Sequence, residues 1–406
     1  MSGTLDVDAR ALDPVPASVD QGPLTGARVD QAGEARSARI ESLRALAALS
    51  VLASHAFLYA YVSPTITDPY VHRVVLEGGF GGVDFFFVLS GYLLFWPFAR
   101  SAFATHEPVS VRRYALNRAL RILPLYYVVV VVLLLVQQHG GTFTQWWHFG
   151  LFAENFSTST LYSLDSPMWT LAVEVQFYVL LPVIALLVAG ASRGSRAAAI
   201  SILLVLSMAS FVSRQLVFWH GHPANSALQS SLVTLFSFFA LGMILALVRV
   251  SWLERAPRWL AGPAGRSDLW ILCSVPLWAL VSWRYSYEAA AGLASVLIVG
   301  ACVLPLRRGV FVAVTENRLL ALVGLTSYSI YLLHSPILLA ITNHSVTSTV
   351  FGGAVPTTAH FLKLLAAGTA ITCVVSALTY RAIEAPALRL RRRWARSAPP
   401  PVAASE

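Results

Sequence analysis

Apolar residues in this chain come in long runs, separated by short polar stretches rich in arginine. About 20 consecutive apolar residues are what an α-helix needs to cross a bilayer. The pattern predicts ten such segments, at 41–62, 80–98, 122–139, 169–189, 197–217, 228–248, 268–284, 286–306, 319–341 and 359–383. The predicted fold class is all-α: a polytopic membrane protein, a bundle of about ten transmembrane helices. Residues 1–38 are polar, mixed in charge and carry Pro14, Pro16 and Pro23. They read as a disordered cytosolic tail, with no apolar run that would make a signal peptide. The membrane domain spans 39–386, and residues 387–406 read as a basic, Pro-rich cytosolic tail.

Composition agrees. Hydrophobic residues make up 56% and charged residues 12%, with a mean hydropathy of +0.65. A soluble domain has roughly twice that charge density. The net charge of +9 invites a nucleic-acid reading, but the arginines sit between apolar segments. With a cytosolic N-terminus, the inner loops hold Arg100, Arg112, Arg113, Arg118, Arg121, Arg193, Arg196 and most later arginines, and the outer loops only Arg73 and Arg284. This positive-inside asymmetry predicts a multi-pass plasma-membrane protein with both termini cytosolic and no nucleic-acid partner. Arginine almost to the exclusion of lysine, with Lys363 the exception, fits a GC-rich bacterial genome. Cys273, Cys302 and Cys373 lie in apolar segments without ligand-like spacing, so they read as small core residues and no metal site is expected.

The first apolar segment organises the candidate chemistry. Arg44 and His55 are 11 residues apart, which at about 100° per residue is three turns plus about 20°. Both side chains project from one helix face, with a rise of about 16 Å between them. His55, Asp84, Glu174 and His334 all fall about 6–10 Å inside the outer end of their segments at 1.5 Å per residue. Buried charges need partners, and four ionisable groups at one depth point to a site. Ser327, Tyr331 and His334 follow i, i+4, i+7 spacing and form a polar stripe facing the bundle interior. On the inner side, Arg44, Arg118 and Arg121 are embedded among apolar residues, and residues 110–121 could form a short interfacial helix. Clustered guanidinium groups suit phosphate, which they grip bidentately.

Five motifs in this order resemble the acyltransferase-3 family of integral membrane O-acyltransferases: ESLRALAALSVLASH, GVDFFFVLSGYLL, NRALRILPLYY, WTLAVEVQFY and SYSIYLLH. Glu41-Ser42 stand where many members have Asp-Gly. The resemblance covers about residues 39–386. It implies transfer of an acyl group, usually acetyl, from cytosolic acyl-CoA to a hydroxyl beyond the membrane. The family's helix 1 arginine and histidine map onto Arg44 and His55, its arginine motif onto Arg118 and Arg121, and its W-x4-E segment onto Trp169 and Glu174. The chain is expected to be the stand-alone form, without the SGNH-type esterase domain that some members carry.

The chemistry of the residues fits that implication. A basic inner mouth formed by Arg44, Arg118 and Arg121 would hold the phosphates of acetyl-CoA. An alcohol needs a base near neutral pH, and the His55 imidazole suits that role or that of transient acyl carrier. Glu174 or Asp84 would orient the imidazole, while Trp169, Tyr331 and His334 would contact the acceptor. A cell-envelope glycan, a glycolipid and a macrolide-like metabolite all fit as acceptor. The alternative is a proton-coupled secondary transporter, with intramembrane His, Glu and Asp as a relay. The absence of visible repeats and the clustered arginines speak against it.

Overall fold

A computed structural model describes residues 26–60, 78–219, 227–283, 288–343 and 358–396, which are helical and contain no strand beyond an isolated bridge between Arg266 and Arg307. The helices are α1 (Gly26–Ala60), α2 (Gly78–Arg100), α3 (Val111–Val136), α4 (Phe143–Gly150), α5 (Met168–Ser192), α6 (Arg196–Trp219) and α7 (Leu232–Glu254). They continue with α8 (Ser267–Trp283), α9 (Glu288–Val303), α10 (Val310–Thr315), α11 (Arg318–Leu325), α12 (Ser327–Asn343), α13 (Thr358–Thr379) and α14 (Ala385–Arg396). A π-helical turn, Tyr380–Glu384, joins the last two.

Every predicted apolar segment carries a helix, and the all-α membrane architecture holds. The count of ten spans does not. Among the described residues, seven helices are long and apolar enough to cross a membrane, or eight if the α11–α12 pair, bent by 68°, is one broken span. α8 has 17 residues and α9 has 16, which at 1.5 Å per residue is about 25 Å against a hydrocarbon core of about 30 Å. Hydropathy sees apolar content, but helix ends decide length. α1 begins at Gly26, inside the stretch read as a tail, and residues 1–25 lie outside the described residues, as do Arg73 and Arg284. α14 carries the helix on to Arg396, and residues 397–406 also lie outside. The expected interfacial helix at 110–121 is instead the opening of α3, whose Ser110 side chain accepts a hydrogen bond from the Arg113 amide.

The helices pack through a core in which α2 is central. Phe87, Val88, Leu89, Tyr92 and Phe95 of α2 are buried against Phe177 of α5 and Phe239, Met243 and Ala246 of α7. α2 and α7 touch backbone to backbone. A Cβ on Gly91 would stand 2.2 Å from the Phe239 carbonyl oxygen, and one on Gly242 would stand 2.0 Å from that of Val88. Only glycine permits that approach, the usual device for helix contact in a bilayer. The opposite faces of α3, α5 and α6 leave Val132, Leu135, Leu186, Leu187, Val205 and Met208 exposed. Such all-round apolar helices belong in lipid.

The α11–α12 break bears on the site. Gly324 ends α11 against α1, where a Cβ would meet the Glu41 carbonyl oxygen at 1.9 Å. Turning the chain at Thr326 leaves the Leu325 carbonyl to accept from Arg121 Nη2 at 3.4 Å and sets Ser327 beside Arg44.

Candidate active site

A cavity of about 80 Å³ opens between α1, α2, α3, α5 and α12, room for several water molecules. Its polar lining comes from helical spacing. α3 supplies Arg118 and Arg121 one turn apart, α5 supplies Thr170, Glu174 and Tyr178 at i, i+4, i+8, and α12 supplies Ser327 and Tyr331 at i, i+4. α1 adds Arg44 and α2 adds Ser90 above an apolar wall that includes Phe86 and Leu93.

The three arginines predicted as a phosphate grip therefore line one space. Arg44 Nε donates to Ser327 Oγ at 3.2 Å and lies 3.9 Å from Glu41 Oε2. Arg121 Nη1 lies 3.3 Å from Glu384 Oε2, and Ser329 donates to the other oxygen of that carboxylate. Arg118 is half-buried beside Tyr114 and Tyr178, with Arg44 and Arg121 as like-charged neighbours. Its Nε has no hydrogen-bond partner. Three guanidinium groups so close repel one another, and a buried donor without an acceptor costs about 1–3 kcal/mol. An anionic ligand would relieve both.

Glu174 belongs to this cavity. Ser90 Oγ donates to Glu174 Oε1 at 2.5 Å, Tyr178 also bonds to the carboxylate, and its charged neighbours are Arg44 and Arg118. The expected pairing of Glu174 with His55 is not what these contacts form.

The two histidines come together on the far side of Tyr331. His334 Nε2 lies 3.3 Å from His55 Nδ1, with ring centroids 4.9 Å apart. His55 Nδ1 also lies 3.0 Å from the Val51 carbonyl oxygen, and His334 Nδ1 lies 2.7 Å from that of Tyr331. Tyr331 is the shared wall. It lines the cavity, packs 5.8 Å from the His334 ring, and is tied to Thr170 and to the Pro167 carbonyl oxygen at 3.2 Å.

A loop between α4 and α5, not singled out from sequence, reaches the residue next to His334. Ser335, next to His334, donates to Asp165 Oδ1 at 2.5 Å and meets the Tyr59 hydroxyl at 2.8 Å. The Tyr59 ring lies 6.0 Å from that of His55. Burial pushes the Asp165 carboxyl up to about 7, and that of Glu154 in the same loop up to about 8.

Asp84 goes elsewhere. It is buried, and its charged neighbours are Glu288 of α9 and Arg214 of α6. Arg214 grips both oxygens of Glu288, donates to the Gln229 carbonyl oxygen at 2.7 Å and lies 5.2 Å from the Phe218 ring. Trp169 is half-buried against the α2–α5–α7 core and is not among the residues lining the cavity. The four titratable groups at one predicted depth thus divide three ways. Depth along the membrane normal says nothing about azimuth around the bundle. Arg214 and Glu288 carried a sequence signal, being charges inside or beside apolar runs; Ser90, Tyr178, Asp165 and Ser335 carried none.

A profile of the acyltransferase domain family matches residues 37–380. The chain is 25% identical over 375 residues to the peptidoglycan O-acetyltransferase OatA of Listeria monocytogenes, covering 86% of this chain and 55% of that protein. It is 26% identical over 376 residues to the putative peptidoglycan O-acetyltransferase YrhL of Bacillus subtilis, covering 86% and 54%. With the O-acetyltransferase OatA of Staphylococcus aureus it shares 24% over 339 residues, 77% and 53%. The chain spans about half the length of these relatives. No solved structure matches it significantly. The matched span takes in Arg44, Arg118, Arg121, both histidines and the helices that carry them, and the chain belongs to the acyltransferase-3 family.

Proposed function

We propose that this protein is a membrane O-acetyltransferase that moves an acetyl group from cytosolic acetyl-CoA to a hydroxyl of a cell-wall glycan on the other side of the bilayer. The observation that carries the reading is the arginine-lined cavity whose lining includes Tyr331, which packs against His334 of the His55–His334 pair. Arg44, Arg118 and Arg121 bind the donor's phosphates. The pantetheine arm runs along α1 towards His55, and Tyr331 and Thr170 line the way. The acceptor hydroxyl gives its proton to His55 as its oxygen attacks the thioester carbonyl. The tetrahedral intermediate collapses, the C–S bond breaks, and the CoA thiolate takes the proton back from the imidazolium. In the acyl-carrier variant the imidazole attacks first and the hydroxyl displaces it in a second step. Peptidoglycan as acceptor rests on what the relatives act on. The arginines clustered around Arg44, Arg118 and Arg121 support a cytosolic donor mouth by the positive-inside rule.

The test uses oriented vesicles supplied with acetyl-CoA and soluble peptidoglycan fragments. His55→Ala is expected to lower transfer at least 100-fold, the low end of what a general base contributes, while the protein still folds. Arg44→Ala is expected to raise the donor KM about 10- to 100-fold, as loss of a charge-assisted hydrogen bond of about 1.5–3 kcal/mol implies. Near-wild-type transfer by His55→Ala refutes the assignment. Mass spectrometry of the product separates a wall glycan from a glycolipid or a macrolide-like acceptor.

A further inference from the structure

The contacts around the two imidazoles run in one direction. The nitrogen His334 Nδ1 faces two carbonyl oxygens, of Tyr331 at 2.7 Å and of Ile330 at 3.1 Å. Carbonyls only accept, so in a neutral ring Nδ1 carries the proton and Nε2 carries the lone pair. That lone pair faces His55 Nδ1 at 3.3 Å. His55 Nδ1 therefore has two acceptors before it, His334 Nε2 and the Val51 carbonyl oxygen at 3.0 Å. Its proton is shared between them, and Nε2 of His55 is left as the basic nitrogen.

We propose that His334 is a positioning residue that holds His55 in the Nδ1-protonated tautomer and so makes Nε2 the atom that takes the acceptor's proton. The inference rests on the reading of His55 as the base, and it gives His334 a role other than contact with the acceptor. In a hydrolase triad a carboxylate does this work on Nδ1. Here a neutral imidazole does it, as suits a completely buried position: His334 is 0% exposed. A neutral acceptor needs no buried counter-charge, whereas an ionised carboxylate at that depth does. The Nδ1–H of His55 still points at a lone pair once Nε2 is protonated, so the imidazolium keeps its hydrogen bond, now charge-assisted. The orientation is set locally. His334 takes its direction from its own helix, three and four residues back, and Ser335 beside it is held by Asp165 and Tyr59.

Two measurements test this. The first is solid-state ¹⁵N spectroscopy of the histidine-labelled wild-type protein in lipid vesicles at pH 8, with His55 assigned by comparison with His55→Gln. The expected result is a protonated Nδ1 and a bare Nε2; the opposite tautomer overturns the proposal. The second is kinetics with acetyl-CoA and soluble peptidoglycan fragments. His334→Leu removes the side-chain acceptor of the two before Nδ1, leaving the Val51 carbonyl, and is expected to lower kcat at least 100-fold with both KM values within threefold. His334→Gln, whose Oε1 accepts from the same direction, is expected to recover at least tenfold over His334→Leu. A His334→Leu variant that keeps kcat but raises the acceptor KM, or a glutamine variant no better than the leucine one, overturns the proposal. If His334→Leu does not fold, the wild-type spectrum decides alone. Full activity in His55→Ala would remove the base itself, a failure separate from the wrong tautomer in an otherwise His55-dependent enzyme.

Discussion

Replacing Asp165 with asparagine should change how stability depends on pH. Asp165 is 4% exposed in the loop before α5. Its Oδ1 accepts from Ser335, and its Oδ2 has no hydrogen-bond partner. Burial disfavours the charged form and pushes the carboxyl up to about 7, against about 3.9 in an unfolded chain. Between those two values the folded protein holds a proton that the unfolded chain has released, so raising the pH favours unfolding. The contribution is complete below about pH 4, is lost through pH 7 and is flat above. A gap of about three pH units, at about 1.4 kcal/mol each, amounts to about 4 kcal/mol, of which about 2 falls between pH 5 and pH 7. Glu154, pushed up to about 8 by burial, adds a loss of the same sign. The asparagine side chain cannot ionise and still accepts from Ser335. Wild-type protein in detergent should lose stability steeply from pH 5 to pH 7, and Asp165→Asn should lose about half as much, keeping only the Glu154 part. The assay is the thermal unfolding midpoint followed by intrinsic fluorescence in half-unit pH steps. Parallel profiles for the two proteins, or a wild type that gains stability as pH rises, would refute the reasoning.

Two further variants probe what holds the site in place, both read by thermal unfolding in detergent. Gly242→Ala puts a Cβ 2.0 Å from the Val88 carbonyl oxygen where 3.4 Å is ordinary contact, so α2 and α7 must part by about 1.4 Å; the expected cost is about 1–3 kcal/mol or more, and a wild-type midpoint contradicts the crossing. Glu288→Gln weakens the two-point grip on Arg214 at an expected cost of about 3–5 kcal/mol, whereas Arg214→Met with Glu288→Leu should recover much of that, since apolar replacement of a buried pair is often neutral; a double variant less stable than the single one contradicts this.

Much of the fold was legible because a helix in lipid is a local object. Its backbone bonds close within the segment, so the apolar runs alone located each of the seven long apolar helices among the described residues. The same locality made Arg44 and His55 one face of α1, joined Arg118 to Arg121, and aligned Ser327 with Tyr331. All of these belong to the cavity or the histidine pair in the tertiary structure. Neighbours across helices were not legible, because lateral packing depends on many contacts at once, such as the Gly91–Gly242 crossing. Tertiary structure alone sent Glu174 to the arginines, Asp84 to Arg214 and Glu288, and Trp169 to the core. It also broke the predicted 319–341 span at Thr326 and joined Asp165 to Ser335, next to His334. Sequence determined which helix faces are chemical and roughly how deep each group lies. Only the packed bundle decided which of those groups meet, since depth is set by each segment against the bilayer and azimuth by every other helix.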